Sequence, residues 1–398
     1  MTPLVRRVAT RLVKPEWAER VVSPAYDAMR PEQRAQLMAE DPYVFLHVTR
    51  SPGDASGISV EGDVTELNAA ALEWLLSEGV FTDVQSPALY LYRLRRGDHE
   101  QVGVVADVHL SGVETGLIGP HERVQPHRAV HLADHLSRVA VHSSPVAFGY
   151  DDVPEVDVIV EQVMRNEPEL DLERGDGLHQ TVWRVPDEYA VEIEEELSKR
   201  RLYIVDGHHR VAAATEEWGR RGNPEDAGFV LGALFPNSQL NVCAFHRWVK
   251  DLNGHDIDSL TEAIAASDFS VLPLSAEDPV GPESPGEFAM YVGHRWYHIK
   301  PFRRHPAEFD ATLLQDRILG PILGIDEASA GGRLDYLPGS VGLEYLMQLT
   351  DERGGAAFAL HPVLLSQLKA VVDRGQTLPP KSTYFEPKVR SGVFIAPR

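Results

Sequence analysis

The segment that most limits the fold lies at residues 202–218, LYIVDGHHRVAAATEEW. Leu202 to Val205 is a short, β-prone run that reads as a buried strand. It ends in Asp206-Gly207, and a helix starts within His208-His209-Arg210. A strand that passes through one glycine into a helix is a building unit of α/β and mixed-sheet folds. Gly207 lacks a Cβ, so the backbone turns sharply there and a ligand can approach closely. The N–H groups at a helix start carry partial positive charge and suit a phosphate. Arg210 stands in the first turn, where a cation is electrostatically misplaced. Phosphate oxygens held bidentately would balance it. His208 and His209 would donate to the same oxygens, or one would shuttle a proton. Asp206 ends the strand, where α/β sites collect ligands, and can hold a metal ion or orient a nucleophile. A plainer reading makes Asp206 a helix cap and the histidines surface groups.

Around this unit the pattern alternates. Helices are expected at Pro31 to Glu40, Thr65 to Ser77, Arg128 to Val139, Val153 to Asn166, Glu188 to Arg200, Val211 to Trp218, Phe309 to Leu319 and Pro362 to Arg374. Strands are expected at Ala88 to Leu94, Val102 to Leu110, His179 to Val185, Gly228 to Phe235, Gln239 to His246 and Ser391 to Ala396, with Ser143 to Tyr150 extended. The proline-rich acidic stretch Pro273 to Pro285 reads equally as a domain linker or a long hairpin loop. At about 150 residues per domain, 398 residues make two or three domains. The expected division is 1–85, a helical and loop region; 86–245, the core with the Gly207 bend; and 246–398, a C-terminal α/β region. The fold class is α/β or α+β, a mixed sheet with flanking helices.

Two further clusters carry chemistry. Residues 119–145 read GPHERVQPHRAVHLADHLSRVAVHSSP. His127, His131 and His135 share one helix face and suit a divalent metal or, equally, a solvated stripe. His121-Glu122 precedes that helix, and Glu122 there can act as general base for a hydroxyl. Ser143 and Ser144 before Pro145 can reach the same ligand or satisfy the loop. Near the C-terminus, LPPKSTYFEPKVRSG brings Lys381, Ser382, Thr383, Tyr384, Lys388 and Arg390 together as a phosphate or carboxylate clamp, or as an exposed loop balancing acidic neighbours. Ser23-Pro24-Ala25-Tyr26-Asp27, Asp41-Pro42-Tyr43 and His47 are weaker candidates and fit structural roles.

Charge and composition narrow the partners. The chain carries 38 basic and 60 acidic residues, a net charge of −22. That field repels nucleic acid, whose binding depends on neutralising phosphates, while leaving room for one local basic pocket. No apolar run approaches the roughly 18 residues of a membrane span, and the N-terminus lacks the apolar stretch of a secretion signal. The single cysteine, Cys243, forbids an internal disulfide and a multi-cysteine metal site, which fits a reduced, cytoplasmic compartment. GxxxxGK[ST], a GxGxxG after a strand, and HExxH do not occur.

The ordered segments SPAYDAM, DPYVFLHV, ALEWLLSEGVF, LYLYR, PHE, LYIVDGHHR and LPPKSTYFEPKVRSG span nearly the whole chain. In them the sequence resembles the bacterial family catalogued as domain of unknown function 1015. DGHHR itself resembles the ParB/sulfiredoxin superfamily, in particular its free-serine kinases, which phosphorylate free L-serine with ADP or ATP. The resemblance implies a ParB/sulfiredoxin-like nucleotide-binding core. It puts Asp206, His208, His209 and Arg210 at the nucleotide phosphates and Glu122 of the PHE triplet in the place of the kinases' basic glutamate. Sulfiredoxins carry a reactive cysteine where this chain has His208, which argues against sulfinic acid repair. ParB proteins bind CTP and DNA, and the acidic charge opposes the DNA half. Where the numbered family often has Asp-Arg after the PHE triplet, this chain has Asp134-His135.

The expected function is therefore a nucleotide-dependent small-molecule kinase acting on a hydroxyl of free serine or a similar metabolite. Gly207, His208, His209, Arg210, Lys381, Ser382 and Thr383 would bind nucleotide and phosphate. Glu122, Asp206 and His209 would be catalytic, with Asp206 touching Mg²⁺ directly or through water. His121, Tyr384 and Lys388 would meet the acceptor. ATP or ADP and Mg²⁺ are the expected cofactors; oligomeric state is not set by the sequence, and a homodimer is allowed. Two rivals remain: a ParB-like nucleotide switch or nucleotide hydrolase, and a metal-dependent hydrolase built on His127, His131 and His135.

Overall fold

The computed structural model describes residues 2–24, 29–51, 61–274, 279–303, 308–326, 332–379 and 381–398. Ala25, Tyr26 and Asp27, residues 275–278 and Pro380 lie outside the described residues. The chain forms two compact units, one of Met1–Leu240 with Pro387–Arg398, the other of Asn241–Glu386.

The first unit is built on a nine-stranded mixed sheet. Its order is Ile118–Gly119, Leu202–Asp206, Val146–Tyr150, Phe229–Pro236, His99–His109, Tyr90–Arg96, His179–Arg184 and Leu170–Glu173, with Val5–Arg6 pairing beside the His99–His109 strand. Leu202–Asp206 runs parallel to Ile118–Gly119 and antiparallel to Val146–Tyr150, which in turn runs parallel to Phe229–Pro236. The remaining pairs are antiparallel. The strand that carries the bend is thus held on both sides, as its unbroken apolar run requires.

Three helices cover one face of this sheet through residues spaced three and four apart. They are Pro154–Val163 with Val156, Ile159 and Val163; Asp187–Ser198 with Ala190, Ile193 and Leu197; and His208–Arg220 with Val211, Ala214 and Trp218. Val102, Val104, Ala106 and Val108, alternate residues of one strand, meet them in the same core. On another part of the unit, Tyr90 and Tyr92 pack against Phe394, with ring centroids 5.9 and 5.5 Å apart. A large side chain so buried contributes about 1.5–3 kcal/mol. The helix Pro126–Val139 packs against His208–Arg220.

The second unit holds a six-stranded antiparallel sheet in the order Phe269–Pro273, Arg295–Pro301, Phe288–Val292, Ala356–Leu360, Phe245–Val249, Leu334–Pro338. Alternate residues enter separate cores: Phe288, Met290 and Val292 join one, Ala289 and Tyr291 the other. The stretch Pro273 to Pro285 therefore joins two strands of one sheet, so it does not link domains. Nor is it a simple hairpin loop, because both strands pair with Arg295–Pro301 rather than with each other.

Several elements differ from their expected form. Gln239 to His246 is not one strand: a tight turn at Asn237–Gln239 is followed by Val242–Cys243 and Phe245–Val249, which pair in different sheets. Here the chain passes from the first unit into the second. The helix at Phe309 to Leu319 starts as an α-helix over Asp310–Leu314 and widens to a π-helix over Gln315–Leu319, closed by Gly320 N–H donating to Gln315 O at 2.9 Å. Helices Ile257–Ala266 and Leu343–Arg353 and the strand Ala356–Leu360 were not anticipated.

Candidate functional site

The strand Leu202–Asp206 slips register against its neighbour at its end: Ile204 faces Phe148, but Asp206 faces Ala147. This irregularity releases the chain into Gly207, whose φ of +102° favours glycine. The helix His208–Arg220 begins at the next residue, and Gly207 has no side chain with which to cap it. A Cβ at Gly207 would lie 2.9 Å from the Arg210 guanidinium. The glycine is needed because Arg210 folds back over the bend.

That fold-back corrects the expectation for Arg210. Its Nη1 donates to the carbonyls of Ser144 (3.0 Å) and Pro145 (2.5 Å), and its Nη2 to Asp206 Oδ2 (2.5 Å). A cation in the first helical turn here has an internal counter-charge in Asp206. The expectation for Asp206 changes too. Its Oδ1 is 2.7 Å from Lys388 Nζ, so each carboxylate oxygen already meets a cation. Burial pushes the Asp206 carboxyl up, but Lys388 and Arg210 outweigh burial and hold it well below the usual carboxylate range. Asp206 is thus a charged anchor between two cations, and an open Mg²⁺ ligand is not what this geometry presents. Asp206 itself is thus flanked by two cations, Lys388 and Arg210.

The PHE triplet packs against the bend. His121 is buried, and its Nδ1–H donates to Ile204 O at 2.7 Å. His208 is buried as well; its Nε2 accepts the His121 backbone N–H at 3.3 Å, and the two rings meet edge to face at 4.4 Å. Burial lowers the His121 imidazole to about 4 and holds His208 well below the ordinary value, so both are neutral at pH 7. Half-buried Glu122 completes the group: its carboxylate and one ring nitrogen each of His121 and His208 all lie within 4.8 Å of one another. His209 Nε2 accepts the Gln125 N–H at 3.2 Å and so ties the helix start to the same loop. Three stretches far apart in sequence, His121-Glu122, Asp206 to Arg210 and Lys388, thus share one neighbourhood.

The histidine stripe is not gathered in this way. His127 and His131 are exposed, with rings 6.3 Å apart, and His135 turns inward to accept from Asn68 Nδ2 at 3.3 Å. Among the described residues, the one group of histidine, cysteine and carboxylate side chains close enough to share an ion is His121, Glu122 and His208. A helix turn separates consecutive members of the stripe, and their side chains diverge.

The C-terminal cluster divides. Lys388 and Arg390 belong to the first unit, where Arg390 Nη2 pairs with Asp176 at 2.6 Å. Lys381, Ser382, Thr383 and Tyr384 belong to the second. There Ser382 Oγ donates to Pro379 O, Lys381 O accepts from Arg247 and Lys381 Nζ lies over the Phe245 ring. Tyr384 packs edge-on against the same ring, and Thr383 is half-buried. Ser144 Oγ meets Ser391 Oγ at 2.5 Å, an interaction the sequence did not signal for Ser391. Also unanticipated is buried His142, which accepts from Leu231 N–H at 3.2 Å and Arg398 Nε at 3.1 Å. No helix among the described residues is long and apolar enough to cross a membrane.

Comparison with known proteins gives a consistent family. A family model described as "Protein of unknown function (DUF1015)" matches residues 6–320. Among solved structures the chain is similar to a free serine kinase variant in complex with ADP. Identity is 15%, the TM-score is 0.38, and the match covers 71% of this chain and 87% of the other. It is also similar to a free serine kinase in complex with AMP, at 14% identity and TM-score 0.38, covering 71% and 86%. A conserved hypothetical protein from Pyrococcus furiosus matches at 14% identity and TM-score 0.37, covering 74% and 95%. No curated protein matches the sequence.

Proposed function

The chain belongs to the DUF1015 family, and from that premise we propose that it is a nucleotide-dependent phosphotransferase acting on a hydroxyl of free serine or a similar small metabolite. The observation that carries this reading is the Gly207 bend. A strand ends there, a helix begins, and Lys388 and Arg210 flank Asp206 beside it. Phosphate oxygens would be met by the N–H groups of the helix start, in the field of these two cations. Arg210 would shape the bend, through Asp206 and the carbonyls of Ser144 and Pro145, rather than grip phosphate. Glu122 would accept the proton of the attacking hydroxyl, beside the neutral imidazoles of His121 and His208. The DGHHR resemblance to free-serine kinases points to ATP or ADP as donor. Mg²⁺, held by the donor's phosphates, would neutralise their charge and needs few protein ligands.

The test is a transfer assay with ATP and with ADP against a panel of hydroxylated amino acids, read by mass spectrometry of the phosphorylated product. The reading expects product that depends on the acceptor and is lost in Glu122→Gln while nucleotide binding is retained. Nucleotide hydrolysis at the same rate with or without any acceptor would replace this reading with a nucleotide switch or hydrolase.

A further inference from the structure

Two imidazoles and a carboxylate converge beside the Gly207 bend, and their chemistry is not that of a phosphate cradle alone. We propose that His121, Glu122 and His208 form a binding site for one borderline divalent transition-metal ion, of the Zn²⁺ or Co²⁺ class, distinct from any Mg²⁺ carried in by nucleotide.

Three features support it. First, the three donor atoms lie within 4.8 Å of one another. Tetrahedral bonds of about 2.0–2.2 Å place ligands roughly 3.3–3.5 Å apart, so modest side-chain rotation closes the set around an ion. Second, His121 donates Nδ1–H to the Ile204 carbonyl at 2.7 Å. This fixes its tautomer with the lone pair on Nε2, the backbone-carbonyl support that metal-bound histidines commonly use. Third, the His208 ring meets the His121 ring edge to face at 4.4 Å, and its Nε2 lone pair is turned to the same loop, where it accepts the His121 N–H at 3.3 Å; an ion on that nitrogen would displace this long hydrogen bond. Glu122 is half-buried, while His121 and His208 are buried.

The donor set selects the ion. Two imidazole nitrogens and one carboxylate suit Zn²⁺ or Co²⁺, whereas Mg²⁺ prefers an all-oxygen octahedron. A bound cation would lower the basicity of the Glu122 carboxylate, whose second oxygen remains able to accept a proton, so metal loading is expected to slow base catalysis at Glu122. The site rests on the geometry of the triad and not on the phosphotransfer reading.

The test uses the full chain, stripped of metal by chelator and dialysed, with no nucleotide present. Zn²⁺ and Mg²⁺ are titrated calorimetrically, and Co²⁺ is followed by its visible absorption. The expected result is one Zn²⁺ per chain, at least tenfold weaker binding in both Glu122→Gln and His208→Gln, an intense low-coordinate Co²⁺ spectrum, and no competition from equimolar Mg²⁺. Circular dichroism checks the fold; should His208→Gln misfold, Glu122→Gln, at a half-buried position, carries the comparison alone. Absence of stoichiometric Zn²⁺ binding, or binding unchanged in Glu122→Gln, would overturn the proposal. Nucleotide binding and transfer are read in separate experiments, so either idea can fail without the other.

Discussion

Lys388→Ala tests the electrostatic frame of the bend. The Lys388 Nζ–Asp206 Oδ1 pair spans 2.7 Å, with side chains only 13% and 14% exposed. Removing one partner of a buried pair costs about 3–5 kcal/mol when the other charge is left alone. Asp206 keeps Arg210 at 2.5 Å, so the expected loss is nearer about 2 kcal/mol. In a unit of this size that lowers the melting temperature by roughly 4–8 °C. The pH dependence adds a second reading. The folded Asp206 carboxyl titrates below its unfolded value, because its two cations outweigh the cost of burial. Its contribution is therefore complete above the unfolded value near about 4 and is lost as pH falls through the lower folded value. The stability gap between wild type and Lys388→Ala should be full at pH 7 and narrow below about pH 4. Urea unfolding at several pH values measures both quantities. A midpoint within experimental error of wild type at pH 7, or a gap that widens in acid, would refute the buried-pair account.

Gly207→Ala should destabilise by about 1–3 kcal/mol, because a side chain is strained at φ +102° and its Cβ meets the Arg210 guanidinium. Chemical denaturation checks it, and a neutral result would mean that the bend relaxes easily. His121, held neutral to about pH 4, contributes stability above its unfolded value near about 6.5 that is lost as pH falls towards 4, up to about 3 kcal/mol. Its imidazole resonances in an NMR titration should stay those of the neutral ring at pH 5. His127→Ala and His131→Ala, at exposed positions, should change stability by less than about 0.5 kcal/mol and leave zinc binding unaltered, as calorimetry would show.

What was legible in the chain was what local chemistry decides. Pro31 to Glu40 forms a helix with those ends, started by a proline that has no N–H to lose. The run from Leu202 through Gly207 into a helix appears as expected, because an apolar strand and a Cβ-free residue leave few alternatives. What was hidden depends on partners far away in sequence. Arg210 is only partly legible, because a cation in a first turn signals a need for negative charge without saying whose. The answer, Asp206 one turn earlier with the Ser144 and Pro145 carbonyls, exists only once the strand Val146–Tyr150 lies alongside. Lys388 was seen as basic, but its pairing with Asp206 is a tertiary fact. The histidine stripe is periodic, but its three side chains are not gathered, since periodicity places side chains on one face without making them converge.

The most direct measurement is the amide chemical-shift response of the isotopically labelled chain to ADP and Mg²⁺. An anion cradle at the bend predicts saturable shifts centred on Gly207, His208 and His209, abolished in Gly207→Ala. Nucleotide-induced shifts confined to other parts of the chain, or none at saturating nucleotide, would contradict it.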